Sequence, residues 1–285
     1  MNYVAHFGLR EQPFSITPDT SYFFACRGSQ EALNTLLVAI SNGEGFLKIT
    51  GEVGTGKTLL CRKFLSTLDE RWVTGYIPNP GFEPRSLMLA LAEELDIQVE
   101  AGVDQHRLLR AITKQLLDLA RQGKRVVLCM DESQAMPLDT LEALRLLTNL
   151  ETEKRKLLQV VLFGQPELDL KLESVSIRQL RQRIVFEQKL VGLARDEVGA
   201  YVMHRLAVAG YAGPALLRGR EIGTLHRASR GVPRLVNILM HKAMLLAYGE
   251  NCRGVENRHV RAAVHDTPAA TPARRWWWPV LGATS

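Results

Sequence analysis

The chain has 285 residues, 46% of them hydrophobic and 23% charged. That is the balance of a folded protein and excludes disorder along the whole length. Thirty-six Lys and Arg against 30 Asp and Glu leave a formal net charge of +6, which permits an acidic partner without requiring one. Four widely spaced cysteines, Cys26, Cys61, Cys129 and Cys252, argue against a disulfide framework or zinc site and for a reducing, cytosolic compartment. No signal-peptide pattern opens the sequence, and no run of about 20 apolar residues would span a membrane. The seven histidines lack metal-site spacing.

Residues 1–28 carry Pro13, Pro18 and six aromatics, and read as an irregular, packed arm. A helix is predicted from Ser29, its expected N-cap, with Ala32, Leu33, Leu36, Leu37 and Ile40 on one face. FLKITG reads as a strand, followed by a glycine-rich turn and the helix TLLCRKFLSTL. WVTGYI is a second strand, and amphipathic helices are expected over 85–95 and 104–122. The continuous apolar runs VVLCM (126–130) and LLQVVLF (157–163) suit strands buried on both faces. Helices are expected over 138–150 and 166–181, and IVFEQKL (184–190) as a fifth strand. Strands alternating with helices predict an α/β fold with a parallel sheet. After Gly192 only helical spacing remains, so a small all-helical domain follows. The expected division is 1–190, 191–266, and a Pro/Ala-rich tail over 267–285.

Gly51-Glu52-Val53-Gly54-Thr55-Gly56-Lys57-Thr58 fits G-x-x-x-x-G-K-[ST] between a strand and a helix, the context in which that pattern forms a phosphate loop. Glycines let the backbone wrap around phosphate with amides pointing inward, and the next helix adds its positive end. Gly51 through Leu59 are therefore the candidate nucleotide-binding residues. Lys57 is expected to reach the β and γ phosphates and Thr58 to ligand Mg²⁺. The 126–130 strand delivers Asp131 and Glu132 at its carboxyl end. Asp131 is the second candidate metal residue and Glu132 the candidate general base for water.

The 157–163 strand is expected between the loop strand and the Asp131 strand, so that Gln165 points at the γ-phosphate or the water; a plain turn residue is the other reading. Arg178, Arg181 and Arg183 precede strand five, at the domain edge. Arg183 is the choice for a finger reaching a neighbouring subunit's nucleotide, the others reading as a solvated face. Gly231-Val232-Pro233-Arg234 marks a helix start, where Arg234 is placed to report γ-phosphate loss as a lid movement.

Taken together, these residues resemble the AAA+ ATPases, matched in order at Lys57, Thr58, Asp131, Glu132, Gln165, Arg183 and Arg234. The sensor of that family is commonly Asn or Thr, where this chain has Gln165. FGLREQPFSITPD (7–19), TGEVGTGKT (50–58), DESQ (131–134), VVLFGQPEL (160–168) and RQRI (181–184) resemble more narrowly the general secretion pathway protein A family, which includes the ATPase of a mannose-sensitive haemagglutinin pilus system. The resemblance covers about residues 1–265. It implies ATP and Mg²⁺, a homo-oligomer (ring or open arc), and assembly work with type IV pilus or type II secretion machinery at the inner membrane. The implied location is cytoplasmic, or peripheral at that membrane. Some members continue into a transmembrane helix and a periplasmic peptidoglycan-binding domain. This branch commonly has DEAQ where this chain has Ser133.

The rival class is a DNA-binding AAA+ ATPase, of transposition-helper or initiator type, compatible with the charge. No DNA-binding module is legible after the lid. In the tail, Arg274, Arg275, Trp276, Trp277 and Trp278 suit weak contact with a membrane surface; packing against protein is the alternative.

Overall fold

The computed structural model describes residues 3–81, 83–100, 102–151 and 156–270; the tail cluster of Arg274, Arg275, Trp276, Trp277 and Trp278 lies outside them. In chain order, α1 (Tyr3–His6) and α2 (Arg27–Ser41) lead into β1 (Phe46–Gly51) and α3 (Lys57–Thr67). Next come β2 (Trp72–Ile77), α4 (Pro84–Glu94), α5 (Gln105–Arg121), β3 (Arg125–Met130) and α6 (Leu138–Leu147). β4 (Gln159–Gly164), α7 (Glu167–Leu172), α8 (Arg178–Arg181) and β5 (Ile184–Leu190) follow. The rest is helical: α9 (Arg195–Val208), α10 (Gly219–Ser229), α11 (Pro233–Gly249) and α12 (Asn257–His265).

The chain divides into two compact units, one from Pro18 to Val191, the other joining the residues up to Thr17 to those from Gly192 on. In the first unit five parallel strands run in the order β2-β3-β4-β1-β5. Every residue of β1 and β4 is buried because helices cover both faces. Phe46, Leu128, Val160 and Leu162 join the core built on α4, α5 and α6. Leu47, Ile49, Val127, Cys129 and Phe163 join the one built on α2 and α3. β4 lies between β1 and β3, as its sequence position suggested. Edge strand β5 alternates half-buried and exposed residues up to its buried last residue, Leu190, and its Glu187 pairs with buried Lys48 of β1 at 2.8 Å.

Two local expectations are corrected. α2 begins at Arg27 with Cys26 as its N-cap, so Ser29 lies inside the helix, where it accepts from the Cys26 thiol at 3.1 Å. The segment 166–181 is not one helix. Ser174 is extended (φ −60°, ψ 138°), which breaks the helical ladder after α7.

The N-terminal arm is corrected as well: residues 3–17 belong with the helical unit, not the α/β unit. The cause is a set of long-range bonds that join the arm to the helices after Gly192. Arg10 N donates to Ala209 O at 2.8 Å. The buried Arg205 guanidinium donates to Pro13 O at 2.5 Å and Ser15 O at 3.2 Å. Asn237 adds a fourth bond, its side-chain amide donating to Ser15 O at 3.3 Å. A buried guanidinium is tolerable only when its donors are matched, so the arm serves as their acceptor.

Candidate functional site

The loop between β1 and α3 rests on two kinds of glycine. Gly54 and Gly56 take φ of 82° and 99°, left-handed values that disfavour side chains. Gly51 is needed for room: a Cβ there would sit 2.8 Å from Thr55 Oγ1 and 2.9 Å from the Leu190 carbonyl. Around Gly56 a Cβ would meet nothing within 4 Å, which leaves a backbone cradle open to a ligand. Thr55 closes the turn, its hydroxyl donating to Glu52 O at 2.8 Å. Glu52 and Val53 are exposed on the loop's rim, and Leu59 is half-buried behind it.

Lys57, the first residue of α3, is buried, and its ammonium donates to Gly51 O at 2.7 Å and Glu52 O at 3.1 Å. Burial lowers its pKa, against the opposing pull of Glu132, Asp131 and Glu52. Thr58 Oγ1 donates to Asp131 Oδ2 at 2.5 Å, which joins the start of α3 to the end of β3. Asp131 is buried, and desolvation raises its pKa although the Thr58 hydroxyl and the Glu132 N–H oppose the rise. A buried ammonium and a buried carboxylate, both disfavoured as ions, fit a ligand that brings phosphate to one and a hard cation to the other. The donor set of Thr58 hydroxyl and Asp131 carboxylate is the oxygen chemistry that Mg²⁺ accepts.

Glu132 follows directly, half-buried and left-handed (φ 51°, ψ 35°). Its Oε2 accepts from Gln165 Nε2 at 3.1 Å and from Gln134 Nε2 at 2.5 Å. Gln134 Oε1 in turn accepts the Gln165 N–H at 2.9 Å. Gln165 thus stands beside Glu132, two residues past the end of β3. Gln134 escaped the sequence reading except as part of DESQ; the signal was an amide two residues after the acid. Lys171 gave no signal at all, yet its ammonium donates to the carbonyls of Gln134 and Met136. Ser133 is fully buried and donates to Met130 O at 2.9 Å, so its hydroxyl is matched.

The remaining candidates are not among these contacts. Arg178 and Arg181 are exposed, and Arg183 is half-buried just before β5. Ile184 pairs with Phe46, the first residue of β1, whereas the loop follows its last. Arg183 thus sits at the opposite end of the sheet from the loop, roughly 17 Å away at 3.3 Å per residue, and does not reach its own chain's site. Arg234 is exposed in the first turn of α11, in the other unit, after Pro233 at the helix start. The turn before it is fixed by Gly231 (φ 73°), whose carbonyl accepts from Leu193 N at 2.8 Å.

The AAA domain family matches residues 40–172, which span β1 through α7. General secretion pathway protein A of Aeromonas hydrophila is 38% identical over 274 residues, 96% of this chain. Along nearly its whole length the chain is thus similar to general secretion pathway protein A, with an AAA domain over residues 40–172. It spans about half the length of that relative, 50%. Among solved structures, the Aeropyrum pernix ORC2 protein aligns over 90% of this chain and 71% of its own, with a TM-score of 0.65 and 16% identity. The Thermotoga maritima RuvB Holliday junction branch migration motor aligns over 89% and 73%, with a TM-score of 0.58 and 16% identity. At such identities these likenesses carry the AAA+ fold alone. Among the described residues, no helix is long and apolar enough to cross a membrane.

Proposed function

We propose that this AAA+ protein hydrolyses ATP and uses the resulting conformational change to assemble or remodel an envelope machine of the type IV pilus or type II secretion kind. The observation that carries the reading is the contact of Thr58 with Asp131 beside Lys57, with Glu132 one residue on. In this reading residues 51–59 wrap the triphosphate, with the loop amides and Lys57 on its charge. Thr58 and Asp131 hold Mg²⁺, which when bound neutralises phosphate charge and orients the leaving group. Glu132 accepts the proton of the attacking water, and Gln165 orients that water or the γ-phosphate.

Arg183 is assigned to a neighbour's site. Its place at the far end of the sheet supports action between copies and disfavours action within one. Arg234, in the stretch 191–266 expected as a lid, is assigned to sensing the nucleotide. The working form is then a homo-oligomer, at the cytoplasmic side of the inner membrane, with secretion or pilus proteins as partners. The name of the Aeromonas relative supports secretion over nucleic acid as the setting.

Steady-state phosphate release tests the hydrolase reading. Glu132→Gln is expected to lower turnover by about 10²- to 10⁴-fold, the usual worth of a general base, while ATP binding persists. Equal turnover by the variant contradicts the base assignment. Tight, ATP-enhanced and salt-dependent binding of duplex DNA would move the setting to the DNA-binding class.

A further inference from the structure

We infer that Lys171 is a positioning residue for hydrolysis, holding the 132–136 turn so that Gln134 fixes the Glu132 carboxylate beside Gln165. The inference rests on Glu132 being the base.

Glu132 occupies the left-handed region at φ 51°, which is unfavourable for a residue with a Cβ. Such a conformation persists only where its surroundings over-determine it. Part of the hold is local. Asp131 Oδ1 accepts the Glu132 N–H at 3.0 Å, and Ser133 Oγ caps Met130 O. Ala135 N and Met136 N close back onto Glu132 O and Ser133 O at 2.9 and 3.2 Å. These bonds shape the turn but do not tie its outer part to the rest of the sheet.

Two residues from the β4–α7 segment do that. Gln165 reaches Glu132 and Gln134 with its side-chain and backbone N–H groups. Lys171, in the last turn of α7, donates to Gln134 O, and to Met136 O at 2.8 Å. One ammonium thus grips two carbonyls that flank Ala135. The helix beneath it is itself anchored: Leu168 and Leu172 are buried in the core. A Cβ on Gly164 would sit 2.8 Å from Leu168, so α7 lies close against the end of β4.

The consequence for chemistry is in the oxygens of Glu132. Both amides, Gln134 and Gln165, donate to Oε2. Oε1 is left without a protein donor among the described residues, and it is the oxygen able to take a proton from water. Lys171 touches none of the reacting atoms. It acts by fixing the backbone from which Gln134 reaches Oε2, and a misplacement of about 1 Å in such a constellation costs on the order of 10²-fold in rate.

The test uses the full chain and measures turnover and the dissociation constant of Mg–ATP separately. Lys171→Met is expected to lower kcat by about ten- to a hundred-fold, with nucleotide affinity unchanged within a few-fold. Lys171→Arg, which keeps two donors, is expected to recover most of the loss. In a Glu132→Gln background, Lys171→Met is expected to add almost nothing, since a residue that acts through Glu132 has nothing left to position. If Lys171→Met fails to fold, Gln134→Ala is measured in its place, with the same expectations for kcat, affinity and the double variant. Unchanged kcat, a loss of affinity that matches the loss of kcat, or an equal loss in both backgrounds would overturn the inference. A wild-type protein that binds ATP without turning it over would overturn the hydrolase reading itself, and this inference with it.

Discussion

The Thr58 hydroxyl lies 2.5 Å from Asp131 Oδ2. Seventy-three positions apart in the chain, the two residues come together because β1 and β3 run parallel with β4 between them. Both strands therefore deliver their carboxyl ends to one rim of the sheet, the place where open α/β sheets bind ligands.

That pair is expected to set the metal requirement. Thr58→Ala and Asp131→Asn should each raise the Mg²⁺ concentration needed for half-maximal turnover by about ten-fold or more, the scale of one lost bond to a charged group. A magnesium titration of phosphate release checks it. An unchanged midpoint in both variants would show that the cation binds elsewhere.

The position of Arg183 predicts complementation between copies. Arg183→Ala alone should lose about 10³-fold or more in turnover, as expected of an arginine finger, while binding ATP normally. Lys57→Ala alone should be inactive for want of nucleotide. Mixed together, the two should regain activity, because the Lys57→Ala copy lends its intact Arg183 to a neighbour with an intact loop. Mixtures no more active than the separate proteins argue against a finger acting in trans.

In the helical unit, Glu250 predicts a pH dependence of stability. Buried His259 accepts the Glu256 N–H at Nδ1 (3.0 Å), so its Nε2 carries the hydrogen and donates to Glu250 at 3.1 Å. That bond, then Arg258, holds the Glu250 pKa below its usual 4.5. A depressed carboxylate pKa gives stability that is full above the unfolded value and fades as pH falls through the folded one. Wild type should therefore melt above Glu250→Gln at neutral pH, and the two should converge on acidification below 4.5. A gap that stays constant with pH would mean that the charge of Glu250 contributes nothing.

Most of the α/β layout and the loop itself were legible, for a local reason. The phosphate loop, the apolar runs of β3 and β4 and the acids after β3 are contiguous patterns whose physics acts over a few residues. What was not legible depends on distant partners. Nothing in residues 1–17 announces that Pro13 and Ser15 will offer their carbonyls to Arg205, about 190 positions on. Lys171 looks like any lysine of a helix face until α7 is packed against β4. Gln134 was visible as a residue type, but its role required the left-handed Glu132 to turn its carboxylate back toward it. The end of α7 was missed because Ser174 breaks the ladder without a glycine or proline to mark it.

The account depends most on Lys57 and the cradle around it. Calorimetric titration with a non-hydrolysable ATP analogue and Mg²⁺ measures this directly. Wild-type protein is predicted to bind at one site per chain. Lys57→Ala should bind at least about thirty-fold more weakly, as expected for removal of a buried charge partner. Equal affinity in the two proteins, or no binding by wild type, would contradict it.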